Sequence, residues 1–421
     1  MVMELDKLYG DATELQRRRY ARAAERFREN FGAEPEAFLS APGRSELGGN
    51  HTDHQHGCVL TAAVDLDSIA AVRRQEAARI DVVSEGYEPF SVDLDTLSPL
   101  EGEKGHSAAV VRGVAAGLKN RGYRIGGFSA WVTSDVLRGS GLSSSASFEV
   151  LIGAILNALY NEYELSATEM AMVGQYAENE FFGKPCGLQD QMACALGGVS
   201  YIDFLDTSAP VHESIGFDLR AHGYALCVVD TGGGHDSLTA EYAAIPHEMG
   251  EIAQRLGQKW LRFCEEEAFL ARLPELRAVC GDRAVLRALH FFSENRRPAA
   301  MAGALKRGDM DAFLRTVRES GRSSWEYLQN VSVSGAPDTQ PVALGLSLSE
   351  RLLEGCGAWR VHGGGFAGTI QAYVPLGMLS VYRSAMEAVF GAGCCSALSF
   401  RSAGAVLVQA EDVISDNLRN D

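Results

Sequence analysis

The chain has 421 residues, 46% of them hydrophobic and 22% charged, an ordinary globular balance and enough length for two or three domains with real cores. Its formal charge of −17, from 38 basic and 55 acidic side chains, argues against nucleic acid or an anionic membrane as partner, because both require a positive footprint. Nine cysteines without any CxxC spacing read as the reduced thiols of a cytoplasmic protein rather than as a disulfide framework.

The first thirty residues are charged from the start and lack the apolar stretch of a signal peptide. No run of about 18 apolar residues follows anywhere, so no membrane-spanning helix is predicted. Tyr20, Ala23, Phe27 and Phe31 mark the inner face of an amphipathic helix, which puts Arg17, Arg18 and Arg19 on its wet side. Residues 41–57 read APGRSELGGNHTDHQHG. An arginine among glycines, followed by dense His, Asp and Asn, has little to offer a core and suits a ligand with many hydroxyls. His51, Asp53, His54 and His56 include possible metal ligands. Zinc, however, usually needs a matching distant pair or a helical i, i+4 spacing, and neither is present.

Residues 58–73 and 127–136 read as strands, rich in β-formers. Between the second of these and a helix over 147–160 lies Gly139-Ser-Gly-Leu-Ser-Ser-Ser-Ala-Ser147. Glycines let the backbone curl so that successive N–H groups face one concavity, and the following helix adds its positive end. The segment is therefore either an oxyanion nest or a plain Gly/Ser turn; it is neither a Walker A loop nor a dinucleotide fingerprint. The helix carries Phe148, Leu151, Ile152, Ile155, Leu156 and Leu159 on one stripe. A second helix over 167–182 turns Met170, Val173, Ala177 and Phe181 inward, with Glu178 at the stripe's edge.

Asp190, in the segment 178–191, is either the cap of a short helix through Met192–Leu196 or a carboxylate that receives a substrate proton. Cys186 reads as inert packing. Strands are predicted at 198–204 and 224–230, a mainly helical stretch over 236–358 whose first part, 236–270, reads as one long surface helix, and a Gly-rich, strand-like region over 361–375. The domain boundary is weakly marked and is set at 205/206.

Four segments in this order carry more than any one of them. APGRxxxxGxHTDxxxG, GxGLSSSAS, AExxFxGxPCGxxDQ and the late GGGFxG together resemble the galactokinase branch of the GHMP small-molecule kinases, over about residues 37 to 410. The resemblance implies an α+β, two-domain GHMP kinase fold: an N-terminal domain like that of ribosomal protein S5 and a ferredoxin-like C-terminal domain, with ATP and sugar in the cleft between them. It implies that Gly139, Gly141, Leu142, Ser143, Ser144, Ser145 and Ala146 wrap the triphosphate, that Ser145 and Glu178 coordinate Mg²⁺, and that Asp190 accepts or orients the proton of the sugar's C1 hydroxyl. Arg44 would neutralise charge on the transferring phosphoryl group and keep Asp190 ionised. Asn50, His51, Asp53, Gly187 and Tyr242 would line the sugar, Tyr242 standing where the family has the tyrosine of an SEY segment.

The chain also departs from the pattern. Where the family writes GRxNLIGEHTDY it has GRSELGGNHTDH, so Asn50 replaces a glutamate that approaches the sugar's C6 hydroxyl and His54 replaces a tyrosine. Leu188-Gln189 stands where Ile-Met is common. Galactose is the first expectation, and galacturonate or another aldose the second, because an amide tolerates a carboxylate that a glutamate repels. A catalytically silent sugar sensor would be expected to lose Asp190, Arg44 or the loop serines, and none is lost.

Overall fold

The computed structural model describes residues 2–136, 141–233, 238–333, 335–366, 368–409 and 413. Two sheets organise it. The first contains β1 (Val2–Met3), β2 (Ala37–Gly48), β3 (Cys58–Arg74), β4 (Arg79–Ser84), β5 (Phe90–Asp93), β6 (Phe128–Ser134), β7 (Val199–Asp203), β8 (Val211–Ile215) and β13 (Val406–Val408). The second contains β9 (Tyr224–Asp230), β10 (Ala358–His362), β11 (Thr369–Pro375) and β12 (Cys395–Leu398), in the order β10-β11-β9-β12.

Strand β3 is the spine of the first sheet. It runs antiparallel to β2 along most of its length, while its first half also pairs with β7 and its second half with β6. Its sequence is almost continuously apolar because both faces are covered, and the alternation of side chains sorts them between two cores. Ala70 and Val72 pack with Val111, Val150, Leu151 and Ile155 of the helices Ser107–Asn120 and Ser144–Tyr160. Ile69 and Ala71 face the opposite way, toward Tyr20, Ala23 and Phe27 of the helix Thr13–Phe31.

That last helix corrects one expectation. Arg17 and Arg18 are on the wet side, but Arg19 turns inward, donating to Asp67 Oδ1 at 2.6 Å and to the Asp67 carbonyl at 2.8 Å. Asp67 is fully buried on β3, and the cation is drawn in because an unpaired carboxylate there would be costly.

The second sheet repeats the sorting. Cys227 and Val229 of β9 face the helices Pro341–Leu353 and Leu379–Phe390, while Leu226 faces the helix Met310–Ser323 and, beyond it, Leu47 and Leu60 of the first sheet. Residues 239–353 are mainly helical as predicted, but 236–270 is not one surface helix. The helix Thr239–Arg255 buries Ile245, Met249, Ile252 and Ala253 and is followed by a separate short helix, Glu266–Ala271. The chain passes between sheets after β8, so the predicted 205/206 division falls inside the β7–β8 hairpin, and β13 returns to the first sheet beside β2. Among the described residues no helix is long and apolar enough to cross a membrane.

Candidate active site

The segment richest in glycine and polar side chains sits where the two sheets meet, at the end of β2. Irregular pairing between Pro42 and Arg44 and between Glu46 and Gly48 bends this strand, and β-bulges of this kind re-aim side chains. Arg44 is thereby buried, with its Nε donating to Asp190 Oδ1 at 2.8 Å and its guanidinium also donating to the Gly141 carbonyl. The Arg44 N–H donates to the Leu142 carbonyl at 3.0 Å, which ties the strand to the loop. Ser143 completes the set by donating its hydroxyl to Asp190 Oδ2.

The loop keeps backbone torsions that serve this closeness. Gly141 has φ +72°, and a Cβ there would lie 2.5 Å from Thr369 Oγ1 and 2.7 Å from His362 Nδ1. Ser143 also has a positive φ, 59°, an uncommon state for a residue with a side chain and one that clusters at functional sites. Leu142 is buried beneath the loop, and Ser144, Ser145 and Ala146 open the helix Ser144–Tyr160, with Ser145 exposed. Gly139 lies outside the described residues.

Asp190 does not cap a helix. It sits within the first turn of Gln189–Leu196, whose N-cap residue is Leu188. Burial pushes its carboxyl upward, but the Arg44 charge, the Arg44 and Ser143 hydrogen bonds and Lys184 outweigh this and hold it below the usual carboxylate range. About a third of the side chain, 36%, remains open, so the carboxylate is reachable from solvent.

The residues expected around the sugar form a second group beside the first. The His51 ring donates from Nε2 to the Gly364 carbonyl across 3.1 Å. Tyr242 donates to the Gly365 carbonyl at 2.9 Å, and burial lifts its phenol to about 12. Asp53 is the link between the groups. A Cβ on Gly187 would lie 1.7 Å from Asp53 Oδ2, so any larger residue there would displace the Asp53 carboxyl. Burial, together with the charges of Asp190 and Glu46, raises the Asp53 carboxyl to about 7. The folded form therefore holds this proton more tightly than the unfolded chain, and stability is lost as pH rises toward 7. Asp53→Asn is expected to raise Tm at pH 8 while leaving it little changed at pH 4; thermal melts at the two values check this, and equal gains at both would refute it.

Asn50 is placed differently from expectation. It is fully buried, and its amide is committed to protein. Nδ2 donates to Glu46 Oε1 at 3.0 Å and to the Gly363 carbonyl at 2.8 Å. Oδ1 accepts from Asn330 Nδ2 at 2.9 Å and from Ser324 at 3.2 Å. An amide with its donors and acceptor so engaged is an architectural element and has little left to offer a sugar. Glu46 in turn pairs with buried Arg360 at 2.7 Å and accepts from Gln189 Nε2 at 3.0 Å. Against the GRxNLIGEHTDY pattern, the amide and the carboxylate at positions 46 and 50 have exchanged places.

His54, also a departure, has both ring nitrogens buried without a hydrogen-bond partner among the described residues. Burial, with His51 and His290 nearby, drops its pKa to about 3, so the ring is neutral.

Glu178 is buried in a π-turn, Ala177–Phe182, at the end of the second helix, not at the edge of a stripe. Its Oε2 accepts from Gln191 Nε2 at 3.1 Å, and the same nitrogen donates to Glu149 Oε2 at 2.8 Å. Burial and the Glu178 charge raise the Glu149 carboxyl well above the usual range. Glu149 escaped the reading of the sequence. The available signal was its place four residues after Ser145, on the same face of a helix otherwise apolar at that depth. Cys186 accepts from Gln191 Nε2 at 3.6 Å, and burial, reinforced by Glu178 and Glu149, pushes its thiol far up, consistent with packing rather than reactivity.

Residues 25–74 match the galactokinase galactose-binding signature, and residues 108–198 match the GHMP kinase N-terminal domain. The chain is similar to the GHMP kinases over these two stretches. The two matches take in β2, β3 and β6 of the first sheet and the helices Ser107–Asn120, Ser144–Tyr160, Ala167–Tyr176 and Gln189–Leu196. Galactokinase from Lactococcus lactis, solved with galactose, superposes with a TM-score of 0.78 at 24% identity, over 91% of this chain and 98% of that one. Mevalonate kinase from Methanococcus jannaschii superposes with a TM-score of 0.61 at 14% identity, over 87% and 98%. Phosphomevalonate kinase from Streptococcus pneumoniae gives 0.59 at 12% identity, over 86% and 99%. At these identities the superpositions show the fold, which is the α+β kinase fold.

Proposed function

We propose that this protein is a GHMP-type sugar 1-kinase that transfers the terminal phosphoryl group of ATP to the anomeric hydroxyl of galactose, in the cytoplasm. The observation that carries the reading is the convergence of Arg44, Asp190 and Ser143, distant in sequence, at the cleft wall inside a chain matching the galactose-binding signature. All nine cysteines are free thiols, which suits a reducing compartment.

In this reading the C1 hydroxyl oxygen attacks the terminal phosphorus, the bond to the ADP oxygen breaks, and the hydroxyl proton passes toward Asp190. Held as an anion, Asp190 is a weak base, and its larger contribution is to orient the hydroxyl. Arg44 offsets negative charge on the phosphoryl oxygens, and the backbone around Gly141 and Leu142 meets the polyphosphate. Ser145 and Glu178, with Glu149 behind, offer hydroxyl and carboxylate oxygens, the donor type that fits Mg²⁺; Glu149 Oε1 has no partner among the described residues. A bound Mg²⁺ would neutralise phosphate charge. Asp53 and His51 would meet sugar hydroxyls. The galacturonate alternative loses its main support, since the carboxylate absent at position 50 is present at Glu46.

The test is a screen of monosaccharides with MgATP, reading ADP release and locating the phosphate by phosphorus–proton coupling. Galactose is expected to give the highest kcat/KM and a product phosphorylated at C1. No ADP release with any aldose, or phosphate at C6, would overturn the proposal.

A further inference from the structure

The AExxFxGxPCG pattern leaves one position undefined between its glycine and its proline, and this chain places Lys184 there. The π-turn that carries Glu178 ends at Gly183, with φ +85°, and the chain folds back over it. The N–H groups of Gly183 and Lys184 both donate to the Glu178 carbonyl, at 3.0 and 3.2 Å. This return brings Lys184 Nζ to 3.4 Å from Glu178 Oε1; the lysine side chain is 66% exposed and the glutamate side chain 5%.

The two cations of the site differ in freedom. Arg44 is buried and held by Asp190 and the Gly141 carbonyl, so its guanidinium has a fixed position. Among the described residues the Lys184 ammonium is held by one ion-pair contact on an open side chain, a weak tether. Its four-carbon stem can swing, and its ammonium is a point charge suited to phosphate oxygens. Glu178 and Asp190 both favour the charged ammonium against the opposing effect of burial. The carboxylates nearby, Glu178 and Asp190, leave this corner rich in acid for a polyphosphate to approach.

We propose that Lys184 is a phosphate-contacting cation, resting on Glu178 in the free enzyme and moving to the terminal phosphates of a bound nucleotide. This rests on the kinase reading above. The move removes a positive charge from Glu178 when that carboxylate is needed elsewhere, and places a second cation opposite Arg44. A lysine that merely decorates the end of a turn would do neither.

The experiment measures the affinity of the intact protein for AMPPNP with Mg²⁺ and without sugar, then kcat and KM for ATP, in wild type, Lys184→Met and Lys184→Arg. Lys184→Met is expected to weaken AMPPNP about tenfold, the size of one charge-assisted hydrogen bond, and to weaken ADP less. Lys184→Arg should recover most of the loss, and Tm should stay constant in both. AMPPNP affinity and KM for ATP within twofold of wild type in Lys184→Met would overturn the assignment of Lys184 alone. A wild-type protein with no sugar-dependent turnover and no AMPPNP binding would overturn the kinase reading and this inference together.

Discussion

Asp190→Asn lowers kcat by about 10²–10⁴, the range of a positioned proton acceptor, while the protein stays folded. The substitution preserves shape. The asparagine carbonyl can still accept from Arg44 Nε, which now donates to Asp190 Oδ1 at 2.8 Å, and the amide nitrogen can donate to Ser143, whose hydroxyl now donates to Asp190 Oδ2. What is lost is the negative charge, and with it both the pull on the hydroxyl proton and the partner that balances Arg44. Arg44 is buried, so losing the opposing charge costs stability, but its guanidinium keeps the Gly141 carbonyl and the new amide oxygen as acceptors, and Tm should fall without loss of the fold. AMPPNP affinity should change little, since the phosphates meet the loop and not this oxygen. In the wild type the depressed carboxyl keeps Asp190 ionised well below neutrality, so kcat/KM should not decline through its protonation until pH falls beneath the ordinary carboxylate range. Near-normal turnover of a well-folded Asp190→Asn protein would remove Asp190 from the mechanism.

Arg44 and the Gly/Ser loop stood out in the sequence as a cation among glycines and a serine run between strand and helix, but their roles, and that of Asp190, came only from the resemblance of the four segments taken together. The fold was legible because period-2 and period-3.6 patterns record which faces are covered. Features that depend on pairing across the chain were not. Arg19 looks like surface until Asp67, 48 residues later, is found buried beneath it. Glu149 looks like one charge on an apolar helix until Gln191 and Glu178 arrive from two other elements. Asn50 sits in a segment dense with ligand-type residues, and only the coordinates show that its amide is spent on Glu46, Gly363, Asn330 and Ser324. A single sequence lists polar groups without saying which of them are already satisfied.

The exchange at positions 46 and 50 gives the second large effect. Asn50→Glu, which restores the family's residue, is expected to destabilise the protein by about 3–5 kcal/mol, because it buries a charge without a partner. Position 50 is fully enclosed, and the group that now donates to Glu46 Oε1 at 3.0 Å and to the Gly363 carbonyl at 2.8 Å would become an acceptor facing two acceptors. Glu46→Asn alone should be comparably harmful, since it strips buried Arg360 of its 2.7 Å partner. Together the two changes move the carboxylate back. The donors are in place: Asn330 and Ser324 already reach position 50, and Arg360 Nε and Nη1 have no partner among the described residues. Denaturant melts of the four proteins should therefore give a coupling energy of about 2 kcal/mol or more, with the double variant more stable than either single one. Since an amide and a carboxylate are present in both arrangements, the charge of this corner is conserved, and preference between galactose and galacturonate should shift little in the double variant. Additive losses would mean that the two positions do not form one unit, and a large change in sugar preference would return position 50 to the sugar itself.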